Sequence, residues 1–99
     1  MLMDRKGNEQ IGTLMSAVLE SNPKLADNYR RYKIKALWSE ISSEYVAKYT
    51  EDISFDRNKM IVKVKSAIIR NEMMIMRQQL IYRINKTAGA NIIDELIIR

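Results

Sequence analysis

The apolar residues of this 99-residue chain change period twice, and those two changes restrict its fold more than any other feature. Up to Tyr49 they recur at helical spacing. From Thr50 they alternate, with Ile53 and Phe55 separated by Ser54, and Met60, Val62 and Val64 separated by Ile61 and Lys63. After Ser66 the helical spacing returns. A period of two sends successive side chains to opposite faces of a strand, whereas a period of 3.6 lines them along one stripe of a helix. A β-hairpin is therefore predicted between helical segments. Its connection is Asp56-Arg57-Asn58-Lys59, where Asp and Asn tolerate a tight turn and no glycine is needed.

Residues 8–19 carry Ile11, Leu14, Met15, Val18 and Leu19 on one stripe and are predicted to form a short amphipathic helix. Ser21-Asn22-Pro23 breaks it, with Asn22 available as N-cap and Pro23 suited to the first turn of the next helix. That second helical region runs from about 24 to 49, with a bend expected near Lys33. Ile34, Leu37, Trp38, Ile41, Tyr45 and Tyr49 are its core-facing set. Ser66 is the predicted N-cap of a third helix reaching about Thr87, roughly 30 Å long at 1.5 Å per residue. Ile69, Met73, Met76, Leu80 and Ile84 face inward on it, broadened by Ile68, Ile75 and Tyr82. Gly89 fits the left-handed residue that closes such a helix. Ile92, Ile93, Leu96, Ile97 and Ile98 then read as a strand paired into the sheet. The expected fold class is α+β in the order α-α-β-β-α-β, a two-layer sandwich with a three-stranded sheet covered by helices. Residues 1–99 are read as a single domain, with 1–7 flexible.

The side-chain inventory argues against catalysis. With neither cysteine nor histidine, the chain has no thiolate ligand or nucleophile and lacks the commonest general base and zinc ligand near neutral pH. Glu51, Asp52 and Asp56 cluster near the hairpin, but isolated turn carboxylates seldom hold a divalent ion without further oxygen ligands. No glycine-rich phosphate loop occurs, and no spacing singles out a nucleophile with its base. We expect a non-catalytic binding domain with no metal, no cofactor and no small-molecule substrate. No apolar run approaches the roughly 18 residues that span a bilayer, so an unprocessed cytoplasmic protein without membrane attachment is expected.

Lys and Arg total 17 against 12 Asp and Glu, a formal charge of +5 that favours phosphate-rich or acidic partners and also aids solubility. Tyr29-Arg30-Arg31-Tyr32-Lys33-Ile34-Lys35 sets four cations between aromatics, the ingredients of phosphate contact and base stacking. It reads equally as a solvated helix face with its tyrosines packed inward. Lys63 and Lys65 project from the strand face opposite Met60, Val62 and Val64 and either extend a basic surface or are simply solvated. On the third helix Arg70, Met74, Arg77 and Ile81 share a stripe, and exposed apolar residues flanked by arginine suit a protein contact. Partial burial against the first helix is the alternative. Trp38 reads first as a core residue.

Trp38, then Tyr49-Thr50 eleven residues on, a hairpin ending in Met60-Ile61-Val62-Lys63-Val64-Lys65-Ser66, Asn71-Glu72-Met73, Asn85, Gly89 and the closing Ile98-Arg99 together make a pattern. It resembles the DciA-like family of bacterial domains over roughly 11–99. The resemblance implies a KH-like fold and a role beside the replicative helicase DnaB, and together with the charge of +5 it leads us to expect association with DNA or RNA. Arg30, Arg31, Lys33, Lys35, Lys63 and Lys65 are then the residues expected to meet nucleic acid, and Arg70, Met74 and Arg77 a protein partner, with Trp38 added to the partner surface by the resemblance. A pure protein-interaction module without nucleic-acid binding is the alternative. One departure from the family is Ser42-Ser43, where members often have glycine, and, unlike true KH domains, the chain has no Gly-x-x-Gly loop with which to clamp a nucleic-acid backbone. Members that load the helicase commonly carry a flexible extension after this domain, whereas this sequence stops at Arg99.

Overall fold

The computed structural model describes residues 21–99. The predicted helix over 8–19 and the flexible 1–7 lie outside the described residues. Helix α1 (Pro23–Ala36) starts as the break signal requires: the Asn22 side chain accepts a hydrogen bond from the Leu25 N–H, and Pro23 occupies the first turn. Two short helices follow, α2 (Trp38–Ile41) and α3 (Glu44–Lys48). The hairpin β1 (Thr50–Asp56) and β2 (Lys59–Val64) leads into α4 (Ala67–Ile75) and α5 (Arg77–Ala88), and β3 (Glu95–Ile98) closes the sheet.

The strand order is β1-β2-β3, with β1 antiparallel and β3 parallel to the central β2. Ile53 opposes Val62 and Phe55 opposes Met60, while Leu96 and Ile98 sit beside Met60 and Val62. These residues form the inner face, and Met60, Val62, Val64, Leu96 and Ile98 are all buried there. Ile69 and Met73 of α4, Leu80, Ile84 and Ala88 of α5, and Ile34, Trp38 and Ile41 complete one continuous core. The α+β two-layer order expected from the periodicity is thus observed, with each long helical region subdivided.

The subdivisions have physical causes. The helix predicted over 66–87 breaks at Met76, although no proline or glycine is present there. Ile69 and Met73 pack towards β2 and β3, whereas Leu80, Ile84 and Ala88 must also meet α1 and α2, and one straight rod cannot serve both. The expected inward face is also corrected: Ile68, Ile75 and Tyr82 lie outside the buried stripes of α4 and α5 and are exposed. The second region bends at Leu37 and again at Ser42-Ser43, not near Lys33. Ser42 Oγ donates back to the Trp38 carbonyl, and Ser43 Oγ accepts from the Val46 N–H to start α3. This restart resets the phase, so Tyr45 turns outward edge-on to Tyr49 instead of joining the core.

Two polar clamps hold the elements in place. Trp38 Nε1 donates to Thr50 Oγ1 at 3.0 Å, and that hydroxyl donates to the Val46 carbonyl at 2.8 Å, tying α2, α3 and β1 together. Asn85 on α5 does more. Its Oδ1 accepts from the Ile92 and Ile93 N–H groups at 3.1 Å each, and its Nδ2 donates to the Ile93 carbonyl at 2.9 Å. Gly89, at φ 78, takes the left-handed conformation that ends α5 and turns the chain into this clamp.

Removing one side of a buried hydrogen bond leaves the partner unsatisfied at about 1–3 kcal/mol. Asn85→Ala is therefore expected to lower unfolding stability by about 2–4 kcal/mol in urea titration, with Asn85→Asp intermediate because it keeps the acceptor. Thr50→Val and Trp38→Phe should each cost about 1–2 kcal/mol and their double mutant distinctly less than the sum, since both delete the Trp38–Thr50 bond and Thr50→Val alone also loses the one to Val46.

Candidate nucleic-acid interface

Helix α1 lies alongside β1 and runs the opposite way. Arg31 stands against the far end of the strand, its guanidinium 5.5 Å from the Phe55 ring centroid and its Nη2 donating to the Arg57 carbonyl at 3.1 Å. About two helical turns further on, Trp38 reaches the strand's beginning at Thr50. The basic segment of α1 is therefore stretched along the sheet, and its cations meet different neighbours.

At the hairpin tip three arginines converge. Arg30, Arg31 and Arg57 line a cleft of about 360 Å³ together with Asp27, Asn58, Ala90, Asn91 and Ile92. Asp27 sits 3.8 Å from Arg30 and neutralises part of the charge. The floor comes from the loop before β3, anchored where the Asp94 N–H donates to the Asn58 carbonyl at 3.0 Å and the Asn58 amide donates to the Asp94 carboxylate. Arg57 has φ 57 in the two-residue turn, a conformation costing a bulky side chain on the order of 1–2 kcal/mol. The residue in the left-handed position is Arg57, not the Asp or Asn that turn chemistry favours. Strained backbone of this kind concentrates at functional sites. Arg31 is restrained by its ring contact and by one of its five donors, which leaves a pre-positioned fork for an anion.

The lysines are distributed differently. Lys35 lines a shallow depression of about 400 Å³ that Glu51 and Asp52 also line, together with Trp38. Lys63 projects from the sheet's outer face as expected, but its ammonium lies 3.6 Å from Glu51, and Lys59 pairs with Glu95 at 3.7 Å. Lys65 is exposed just past β2 and Lys33 is half-buried on α1. The six basic positions thus fall into an arginine pair at the cleft and lysines elsewhere. Among the described residues no group of three or more Asp and Glu converges as a metal cage.

The alternative in which the tyrosines pack inward does not hold for Tyr32, which is 67% exposed. Trp38, at 4% exposure, is a core residue whose edge only lines the depression beside Lys35. On α4 the Arg70 Nη2 donates to the Val64 carbonyl at 3.4 Å and the side chain is half-buried, while Met74, and Arg77 at the start of α5, are exposed. Ile75, 86% exposed, and Ile68, 68% exposed and seven residues earlier, share a flank of α4. Periodicity alone assigns both to the interior. Arg57 was also beyond sequence reasoning as a site residue, since only the folded turn brings it to Arg30 and Arg31.

Among the described residues no helix is long and apolar enough to cross a membrane. Neither the curated proteins nor the solved structures include a match to this chain. One family model does match, that described as Dna[CI] antecedent, DciA, and it covers residues 10–98. The Trp38 to Thr50 hydrogen bond, the Asn85 clamp and the Gly89 turn give physical reasons for the motif residues noted in the sequence, and with nearly the whole chain matched, the protein belongs to the DciA family of loader and accessory proteins for the replicative helicase in bacterial DNA replication.

Proposed function

We propose that this chain is a non-catalytic, nucleic-acid-associated adaptor of the cytoplasmic replication machinery, with the arginine cleft as its phosphate-contacting surface. The observation that carries the reading is the convergence of Arg30, Arg31 and Arg57 at one concave site. Family membership supports an interaction with the DnaB-type helicase. Guanidinium groups suit phosphate because they present paired donors in a rigid plane and keep their charge at all working pH values. Lys63 contributes less in this reading, since Glu51 already pairs with it, and Lys35 lines a depression that holds two carboxylates. Lys33 and Lys65 extend the positive field without defining a site.

Binding of labelled DNA should weaken as salt rises, and every phosphate-binding cation removed by substitution should lower the slope of log K against log salt by about 0.7–0.9. Arg30→Ala combined with Arg57→Gly is expected to remove about 1.5 from that slope, whereas Lys63→Ala removes much less. Glycine is chosen at 57 because it accepts the left-handed backbone. Fluorescence anisotropy across a salt series checks this, and no binding by the unaltered chain at low salt would end the nucleic-acid reading.

A second reading, a protein-interaction module, is favoured by α4. Exposed Met74 and Ile75, between Arg70 and Arg77 in the chain, have the apolar, arginine-flanked character of a docking patch. We place helicase contact there, with Trp38 acting only through the packing of the core beneath. Ile75→Asp with Arg77→Glu should reduce capture of a nuclease-treated DnaB-type helicase about tenfold or more and leave oligonucleotide binding nearly unchanged. Equal capture by the altered chain would exclude this face.

A further inference from the structure

The arginine cleft does not stop at Asn91. A second depression of about 390 Å³ adjoins it, lined by Tyr82, Asn85, Lys86, Gly89, Ala90 and Asn91, and the two share Ala90 and Asn91. Tyr82 is 66% exposed, and the Lys86 ammonium stands 5.9 Å from its ring centroid. A tyrosine ring left this open on a helix face, next to a lysine and continuous with three arginines, is poorly explained by packing. The passage is open at Gly89, where a Cβ would meet nothing within 4 Å. The connecting backbone is also stiff, because Asn85 binds Ile92 and Ile93 and the Asp94 N–H is tied to the hairpin.

We propose that the two depressions form one track for a single-stranded nucleic acid, in which Arg30, Arg31 and Arg57 hold backbone phosphate and the Tyr82 ring stacks against a base. This deepens the adaptor reading and rests on it. Phosphate contacts alone do not distinguish one strand from two. The ring does, because a duplex keeps its base faces stacked inside and offers none to an exposed aromatic, whereas a single strand can splay a base onto it. Lys86 contributes a cation that follows the strand past the ring. Asn91, exposed where the depressions meet, supplies an amide to the same path.

The test measures the full chain by anisotropy against a labelled oligothymidylate, an abasic oligomer of equal length, a duplex of equal length and free thymidine monophosphate. Tyr82→Ala is expected to weaken oligothymidylate about tenfold, as loss of one stacked base does, while Tyr82→Phe keeps most of the affinity. The abasic oligomer should bind the unaltered chain weakly and be indifferent to Tyr82→Ala, the duplex should be insensitive to it, and the salt slope should stay as it was. Because Tyr82 is exposed, the substitution leaves the core intact, and an unchanged thermal midpoint verifies this. The track is overturned if Tyr82→Ala leaves oligothymidylate affinity unchanged, if it weakens the duplex equally, or if the monophosphate binds as tightly as the oligomer, which would make the cleft a nucleotide site. Arginine-dependent binding that ignores Tyr82 removes only the track. Absence of binding to all four probes removes the adaptor's nucleic-acid reading with it.

Discussion

Two parallel neighbouring strands cannot be joined by a tight turn, and that constraint governs this fold. β2 and β3 run side by side in the same direction, so the chain leaving Val64 must return the length of the sheet before Glu95 can pair with Lys59. The return is made by α4 and α5, which lie across the inner face and supply much of the core. Its last step is the most exacting. Gly89 ends α5, and Asn85 then seizes the backbone of Ile92 and Ile93, so that Leu96 and Ile98 enter the sheet facing inward. A slip of one residue here would exchange buried and exposed side chains along the whole strand.

The same crossover builds the candidate site. Its closing loop is delivered to the hairpin tip, where Asp94 meets Asn58, and the residues between Gly89 and Asp94 become the floor between arginines on one side and Tyr82 on the other. Charge follows a similar division. On the outer face of the sheet Lys63 and Lys59 are matched by Glu51 and Glu95 across neighbouring strands, which leaves little net field there. At the tip, among the described residues, Asp27 is the one carboxylate lining a cleft with three guanidinium groups, while Asp56 and Asp94 stand beside the turn.

Much of this architecture was legible in the residues. Alternation from Ile53 to Val64 is a local signal with one dominant cause, burial on one side of a strand, so the hairpin and its inward face could be read directly. Asn22, Ser66 and Gly89 were equally readable because capping is chemistry between near neighbours. The break at Met76 was not, since it comes from two distant surfaces demanding different helix directions rather than from any breaker in 74–78. Ile68, Ile75 and Tyr82 are misplaced for another reason: on an apolar-rich helix, composition alone does not say which hydrophobic residues lie off the stripe. As for the site, Arg30 and Arg31 stood out by density of charge, but the meeting of Arg31 with Arg57 spans 26 positions and depends on the tertiary turn. The lysines looked equivalent in the sequence and differ in the structure because cross-strand carboxylates had no visible register.

β3 has a further consequence for how the molecule behaves in a crowded solution. It lies at the margin of the sheet, and among the described residues no strand pairs with the backbone along its outer side. A long, flat, apolar margin of that sort recruits strands from other chains. Here the exposed stretch is only Glu95–Ile98, opens on an acid and is followed by the cation of Arg99, so a foreign strand would find few sites to pair with and a charge at either end. Brevity and polarity at this border protect the sheet from runaway assembly while leaving its inner face as apolar as the fold requires.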